Sequence, residues 1–415
     1  MSGAAGEPGA AAAPARARVE RGEGQRSGRR PRVSAVLRED ERVTPLELFF
    51  DLVFVLALTQ CTTLMSAQGG WEGLLQGLLV LGVLWWSWVG YAWLTSVVNP
   101  EEGLVRIVMF LAMAAFLVAA LAVPGAFGAD ALTFALAYAV VRIAHILLFM
   151  LASRDDPALR HSVLGLAVST AMGTGLLVAA SFADGGLQLG LWGLALVLDV
   201  GGPLVIETSG WRLVPGHFAE RHGAVVIIAL GESIVALGVG AHERIDAGIV
   251  GAAVLGLVVA ACLWWAYFDV TAIVGGQVLE RATPGARQNA LARDGYSYLH
   301  FPMVAGIGLL AVGVKQTVAA STQPLALVTA FALTGGAALF LLAQFAFRLR
   351  MRHTLGIRRL VAALAVLVLL PLHSQLSALA MLGAVAGLLV AMIAYEALRY
   401  SEARSRIRQL PTAGV

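Results

Sequence analysis

Charge is scarce in this sequence. Only 13% of its 415 residues are Asp, Glu, Lys or Arg, against about 25% in an ordinary soluble domain. Cysteine is scarcer still. Cys61 and Cys262 fall in apolar stretches with no CxxC or Cys/His cluster beside them, so neither a disulfide framework nor a zinc site organises the chain. No P-loop, nucleophile elbow, dinucleotide fingerprint or H-E-x-x-H helix occurs in a credible context. The residues therefore point to no metal and no cofactor. Alternation of polar and apolar residues is also missing, which excludes a transmembrane β-barrel. The N-terminus lacks the apolar core of a secretory signal, so the first apolar span is expected to act as the targeting signal.

What is present is apolar sequence in long blocks. Hydrophobic residues make up 59% of the chain, and the stretches 73–100, 316–347 and 360–395 hold no charged residue. About 20 mostly apolar residues cross the hydrocarbon core as a helix, and within lipid the backbone must satisfy its own hydrogen bonds. The chain thus reads as an all-α polytopic membrane protein of about twelve transmembrane helices. The expected spans are 46–66, 73–97, 104–124, 130–152, 162–182, 187–207, 223–241, 248–272, 297–318, 325–347, 358–375 and 377–397. Residues 1–43, rich in Ala, Gly, Pro and Arg, read as a disordered tail, and residues 399–415 as a basic one.

Arginine placement sets the orientation. Alternate loops on the side of the N-terminus carry 26 of the 29 basic residues. The opposite side has Arg244 and Lys315, and Arg142 lies within a span. By the positive-inside rule both termini are cytoplasmic and the span count is even. The basic balance belongs to membrane surfaces and does not point to nucleic acid.

The chain also appears twice in outline. Trp85-Trp86 in the second span and Trp264-Trp265 in the eighth lie 179 residues apart, and Asp51 and Glu232 precede them by 34 and 32 residues. An even number of spans per half predicts a parallel 6+6 repeat, residues 44–207 and 223–398, joined by a cytoplasmic loop at 208–222.

Ionisable groups within spans are costly and mark function or a paired core. Asp51 and Glu232, at matched places in the two halves, are the leading candidates for proton coupling, with Glu47 and Asp269 beside them. Low dielectric favours the neutral form of a carboxylate, which suits a group that picks up and releases a proton. The alternative is that Asp51 and Glu232 pair with Arg142, His145 or His300 and hold helices together. Glu47 also suits the first turn of a helix opened by Thr44-Pro45. Asp199 interrupts the sixth span, and His373 lies near the outer end of the eleventh. A wider polar network comprises Gln60, Arg142, His145, Glu220, Arg221, His222, Ser233, Tyr296, Tyr298 and His300. His217, Glu220 and Arg221 fit one face of a short helix. Trp85, Trp86, Trp264 and Trp265 read either as an interfacial belt or as cavity aromatics.

The segments "TPLELFFDLVFVLALTQ", "ERHGAVVIIALGESIVA", "LWWAYFD" and "RDGYSYLHFPMVAGIG" together resemble the bacterial low temperature requirement protein A (LtrA) family, over about Val43 to Ala397. The resemblance implies a bacterial inner-membrane protein associated with growth at low temperature, and no settled substrate. It matches Glu47, Asp51, Gln60, Glu220, Arg221, His222, Glu232, Ser233, Asp269, Arg293, Asp294, Tyr296, Tyr298 and His300. One departure follows Gln60, where Thr62 and Thr63 stand in a stretch that commonly carries a histidine in the family. Three functions stay open. The first is a secondary transporter whose partners are the bilayer, a small solute and protons. The second is a membrane sensor or interaction protein, and the third an intramembrane enzyme acting on lipid.

Overall fold

The structure is a computed structural model that describes residues 42–67, 70–205, 210–240, 245–354 and 356–399, together with Gly3. The chain divides into residues 1–32 and 33–415, and the described helices belong to the second unit. The tails expected at 1–43 and 399–415 lie outside the described residues, save Gly3, Arg42, Val43 and Arg399.

The described chain is helical, without a strand; its one β-bridge joins Pro324 and Ser377. In chain order the α-helices are α1 (Pro45–Ala67), α2 (Trp71–Val97), α3 (Gly103–Ala122), α4 (Ala131–Ala152), α5 (Pro157–Ala180), α6 (Gly185–Val205) and α7 (Pro215–Gly240). They continue with α8 (Ala247–Phe268), α9 (Thr271–Glu280), α10 (Ala286–Leu291), α11 (His300–Ala319), α12 (Leu327–Arg352), α13 (Ile357–Leu367) and α14 (Ala378–Arg399). A π-helix, Ala292–Tyr298, connects α10 to α11.

Eleven helical segments among the described residues are long and apolar enough to cross a membrane. The eleventh expected span, 358–375, is the exception. Helix α13 stops at Leu367, and a 3₁₀ turn containing Pro371 follows. Proline has no N–H to continue an α-helix, and His373 Nδ1 bonds the Leu325 carbonyl at 3.0 Å to hold the corner. Eleven residues rise only about 16 Å, roughly half the hydrocarbon thickness.

Local chemistry explains several starts. Thr44 and Glu47 form a capping box at α1: Thr44 N donates to Glu47 Oε2 at 2.8 Å and Glu47 N to Thr44 Oγ1 at 3.4 Å. Asp156 and Asp246 cap α5 and α8 by accepting from Leu159 N and Ile249 N. Helix α7 begins eight residues before the expected 223. Pro215 suits a helix's first turn, and the supposed connecting loop at 215–222 is helical.

Helices α1 and α3 show how apolar spans sort their faces. On α3, Val105, Met109, Ala112 and Phe116 are buried, whereas Leu104, Ile107 and Leu111 are exposed. Both faces are apolar, as expected of helices with lipid on one side. Helix α1 packs on α2 and α3; α3 on α4, α4 on α5, α5 on α6, and α6 back on α2. Helix α7 packs on α8 and α11; α11 on α12, α12 on α13, α13 on α14, and α14 on α8. Helix α1 also touches α7 and α11. The closest crossing is α11 with α12: a Cβ on Gly306 would lie 2.7 Å from the Gly336 carbonyl oxygen, and one on Gly336 would lie 2.6 Å from that of Gly306. Only glycine permits that approach.

Candidate functional site

The charged groups gather where α1 meets α7. Glu47 and Asp51 lie four residues apart on α1, as do His217 and Arg221 on α7, so each pair shares a helix face. Glu47 Oε1 is 2.9 Å from His217 Nε2 and 3.5 Å from an Arg221 nitrogen. A second Arg221 nitrogen donates to Asp51 Oδ1 at 2.5 Å. Arg221 also donates to Thr95 Oγ1, and Trp88 Nε1 to Asp51 Oδ1. All four ionisable side chains are fully buried. A buried charge is tolerated only when paired and hydrogen-bonded, and this one is both. The partner of Asp51 is therefore Arg221, rather than Arg142, His145 or His300, and Glu47 pairs with His217 and Arg221. Glu220, on the exposed side of the same turn, accepts from Val43 N at 3.3 Å.

Glu232 lies eleven residues further along α7, about 16 Å along the axis. It is 2% exposed. Its partners are hydroxyls of α1: Thr62 Oγ1 donates to Oε1 at 2.9 Å, and Thr59 Oγ1 donates to Oε2. No Arg, Lys or His among the described residues stands at ion-pairing distance; Lys315 of α11 acts on it from farther away. Ser233 turns to its own helix and donates to the Leu230 carbonyl. Gln60 is half-buried. The two carboxylates at matched places thus have different environments: Asp51 faces a guanidinium and an indole N–H, Glu232 two neutral hydroxyls.

Between them lies a core of rings. His222 packs edge-on to Trp88 and to His300, with centroids 5.1 and 5.3 Å apart. Its Nδ1 bonds the Phe218 carbonyl, and its Nε2 has no partner among the described residues. His300 Nε2 is 2.7 Å from the Tyr267 hydroxyl, and Tyr296 stacks on His300 at 5.0 Å. The π-helix brings the Gly295 carbonyl to 3.0 Å from His300 Nδ1; such widened turns occur often at functional sites. Trp85 is in this core, donating to the Ser297 carbonyl.

A second cluster joins α4, α5 and α6. Arg142 donates to Asp199 Oδ1 at 2.8 Å and to Thr170 Oγ1 at 2.7 Å, and the Tyr138 hydroxyl donates to Asp199 Oδ2. Arg142 and His145 are each 1% exposed. Arg142 Nε has no hydrogen-bond partner among the described residues, and the His145 ring packs against the Gly90 backbone of α2. These side chains wall a cavity of about 70 Å³. Its other walls include Trp86 and Trp93 of α2, Trp211, and Asn289, Arg293 and Ser297 of α10 and the π-helix. Asp51 and Glu232 do not line it. At the rim, Arg293 pairs with Asp294, which also pairs with Arg350, and Tyr298 stacks on Trp86.

A third cluster centres on Arg359 of α13. It bonds Gln344 of α12, Thr271 Oγ1 and the Ala266 carbonyl, and stands 4.0 Å from Glu396 of α14. Asp269, where α8 gives way to α9, acts on it electrostatically. Trp264 and Trp265 are 46% and 39% exposed, on the outside of α8 and away from the cavity, whereas Trp85 and Trp86 are buried. No three His, Cys, Asp or Glu among the described residues converge to hold a metal ion.

Sequence reading alone missed several members of these clusters. Thr59 and Thr62 were legible only as general polarity and Trp88 only as one of the aromatic residues of its span, and Thr95, Trp211 and Asn289 carried no signal. The repeat of the four-residue spacing, 47/51 against 217/221, was the one available clue.

Charged and ring-bearing cores buried between eleven or so apolar helices define a polytopic helical membrane protein. Within that class, the chain belongs to the bacterial low temperature requirement A protein (LtrA) family, whose model matches residues 42–394. It is similar to the uncharacterized protein RA0937 of Rhizobium meliloti (strain 1021), at 29% identity over 376 residues, or 85% of this chain and 89% of that protein. No solved structure matches it.

Proposed function

We propose that the protein is a proton-coupled secondary transporter of a small solute, built from two parallel six-helix sets, in the bacterial inner membrane with both termini cytoplasmic. In this reading it is not an enzyme, and its partners are the bilayer, the solute and protons.

The observation that carries the reading is Glu232, a buried carboxylate held by two threonine hydroxyls and no ion pair. A carboxylate with a fixed cation has little reason to change protonation. One with only hydroxyl partners can gain a proton without stranding an opposite charge. Asp51, tied to Arg221, is assigned the structural part.

Three further observations support it. The sequence of neighbours is the same in the two sets: first helix on second and third, third on fourth, fourth on fifth, fifth on sixth, sixth on second, with α11 to α14 as third to sixth of the later set. Each set ties its last three helices with one buried arginine. Arg142 of α4 meets Thr170 of α5 and Asp199 of α6; Arg359 of α13 meets Gln344 of α12 and Glu396 of α14. The cavity beside Arg142 has walls from both sets, α2, α4 and α5 on one side and α10 with the π-helix on the other. An interface between repeats is where rocking transporters hold their solute.

The test is flux in proteoliposomes under an imposed pH gradient across a panel of radiolabelled solutes. Glu232→Gln is expected to lose gradient-driven accumulation by more than about tenfold, the usual weight of a proton-transfer group, while solute exchange without a gradient continues. Accumulation by Glu232→Gln equal to wild type overturns the coupling role.

A further inference from the structure

We infer that the basic pocket between α9, α10 and the end of α12 binds the phosphate of a phosphate ester, either an anionic lipid headgroup or a small water-soluble ester. The pocket contains neither Glu232 nor Arg142, and its role stands whether or not the protein transports a solute.

Three features select this class. First, the charge is one-sided. Arg281, Arg287, Arg350 and His353 line a volume of about 320 Å³, and no carboxylate does. Arg350 shares Asp294 with Arg293, so two guanidinium groups divide one carboxylate. Arg281 and Arg287 are exposed and meet no carboxylate at ion-pairing distance among the described residues. Glu280, the residue before Arg281, is not in the wall. Other arginines on this basic side do find a carboxylate: Arg212 stands 3.6 Å from Asp156, and Arg358 stands 3.5 Å from Glu396. An uncompensated group of forked donors matches the oxygens of a phosphate, which accepts bidentate contacts from several sides.

Second, the rest of the wall is apolar: Val278, Ala282, Ala290, Leu291 and Met351. An inorganic oxyanion wants donors on every side, whereas an ester lays its organic part against such a surface. No Phe, Tyr or Trp lines the pocket, so the base of a nucleotide would have nothing to stack on. Third, the walls are fixed in advance. The turn from α9 to α10 passes through Gly285 at φ 96, a conformation open to glycine at no steric cost. The buried Gln288 donates to the Leu279 carbonyl at 3.0 Å, and Asn289 donates to the Trp211 carbonyl at 2.8 Å. His353 closes α12 with its N–H on the Leu349 carbonyl. Arginines on a braced turn lose less freedom on binding than arginines on a loose one. The pocket stands at the ends of α9 and α12, on the side rich in arginine, and basic pockets at such positions meet lipid headgroups.

The test uses the delipidated full-length protein in two arms. Native mass spectrometry in detergent compares retention of phosphatidylglycerol with that of phosphatidylcholine. Calorimetry in phosphatidylcholine nanodiscs compares glycerol 3-phosphate with glycerol. Preference for phosphatidylglycerol assigns a lipid headgroup, and saturable binding of glycerol 3-phosphate assigns a soluble ester. Arg281→Gln combined with Arg287→Gln is expected to weaken whichever binding is seen by more than about tenfold. Arg106→Gln combined with Arg160→Gln removes the same charge from exposed positions outside the pocket. It is expected to weaken binding by less than about threefold, because distant surface charges are screened. A wild-type melting curve for the pocket variant shows that it folds, and the two ligand comparisons on the wild-type protein need no variant. Equal retention of the two lipids together with no binding of glycerol 3-phosphate beyond that of glycerol overturns the assignment. So does an equal loss of binding in the two double variants.

Discussion

Two carboxylates that look alike in sequence differ in what surrounds them. Asp51 is locked by Arg221 and Trp88, and Glu232 by threonine hydroxyls. Breaking a buried pair by removing one partner costs about 3–5 kcal/mol, because the other charge stays behind. Arg221→Met is therefore expected to lower the melting temperature in detergent sharply, and Asp51→Leu added to it to recover part of the loss. A double substitution no better than Arg221→Met alone would dissociate Asp51 from that cost. Glu232→Gln, which keeps an acceptor for one threonine, is expected to melt within a few degrees of wild type. Legibility was partial at this scale. The carboxylates and their helix face were visible in "TPLELFFDLVF", because a spacing of four needs only the helical repeat. Their partners, 170 residues away along the chain, were not, because nothing local records which helix lies opposite.

Among the helices, apolar length was a reliable guide except where backbone chemistry intervened. The run 360–395 read as a pair of full spans. Pro371 and the bond from His373 to Leu325 turn its first part into a short helix and a corner. The run 208–222 read as a loop because it is polar, yet residues 215–222 open α7, with His217 and Arg221 buried against Glu47 and Asp51 of α1. Close crossings depend on absent atoms. Gly336→Val is expected to push α11 and α12 apart at the Gly306 crossing, at a cost of at least about 1–3 kcal/mol, visible as a fall in melting temperature and in the yield of monodisperse protein. Gly387→Ala in α14, where an added Cβ meets nothing, is the control and should melt like wild type.

Across the whole chain, orientation and function separate. The arginine bias predicts that a single cysteine at Gln323, in a background lacking Cys61 and Cys262, is labelled by an impermeant maleimide on intact cells. One at Arg287 should be labelled only after lysis. The reverse pattern would invert the chain and with it the direction of any proton gradient acting on Glu232. Helices α1 and α7 pack against one another, so under the proposed two-set architecture a relative movement of the sets would act first on the contacts of Glu232 and Asp51.

The sequence by itself determined that this is a many-span helical membrane protein of the LtrA family, because apolar length, backbone satisfaction in lipid and the family's segments are properties of contiguous residues. Only the tertiary structure decided which buried charge is neutralised, that Trp264 and Trp265 face outward while Trp86 lines a cavity, and that Arg142 and His145 wall it. Those outcomes depend on which helix faces which, and hydrogen bonds and ion pairs form across distances that no local pattern of residues encodes.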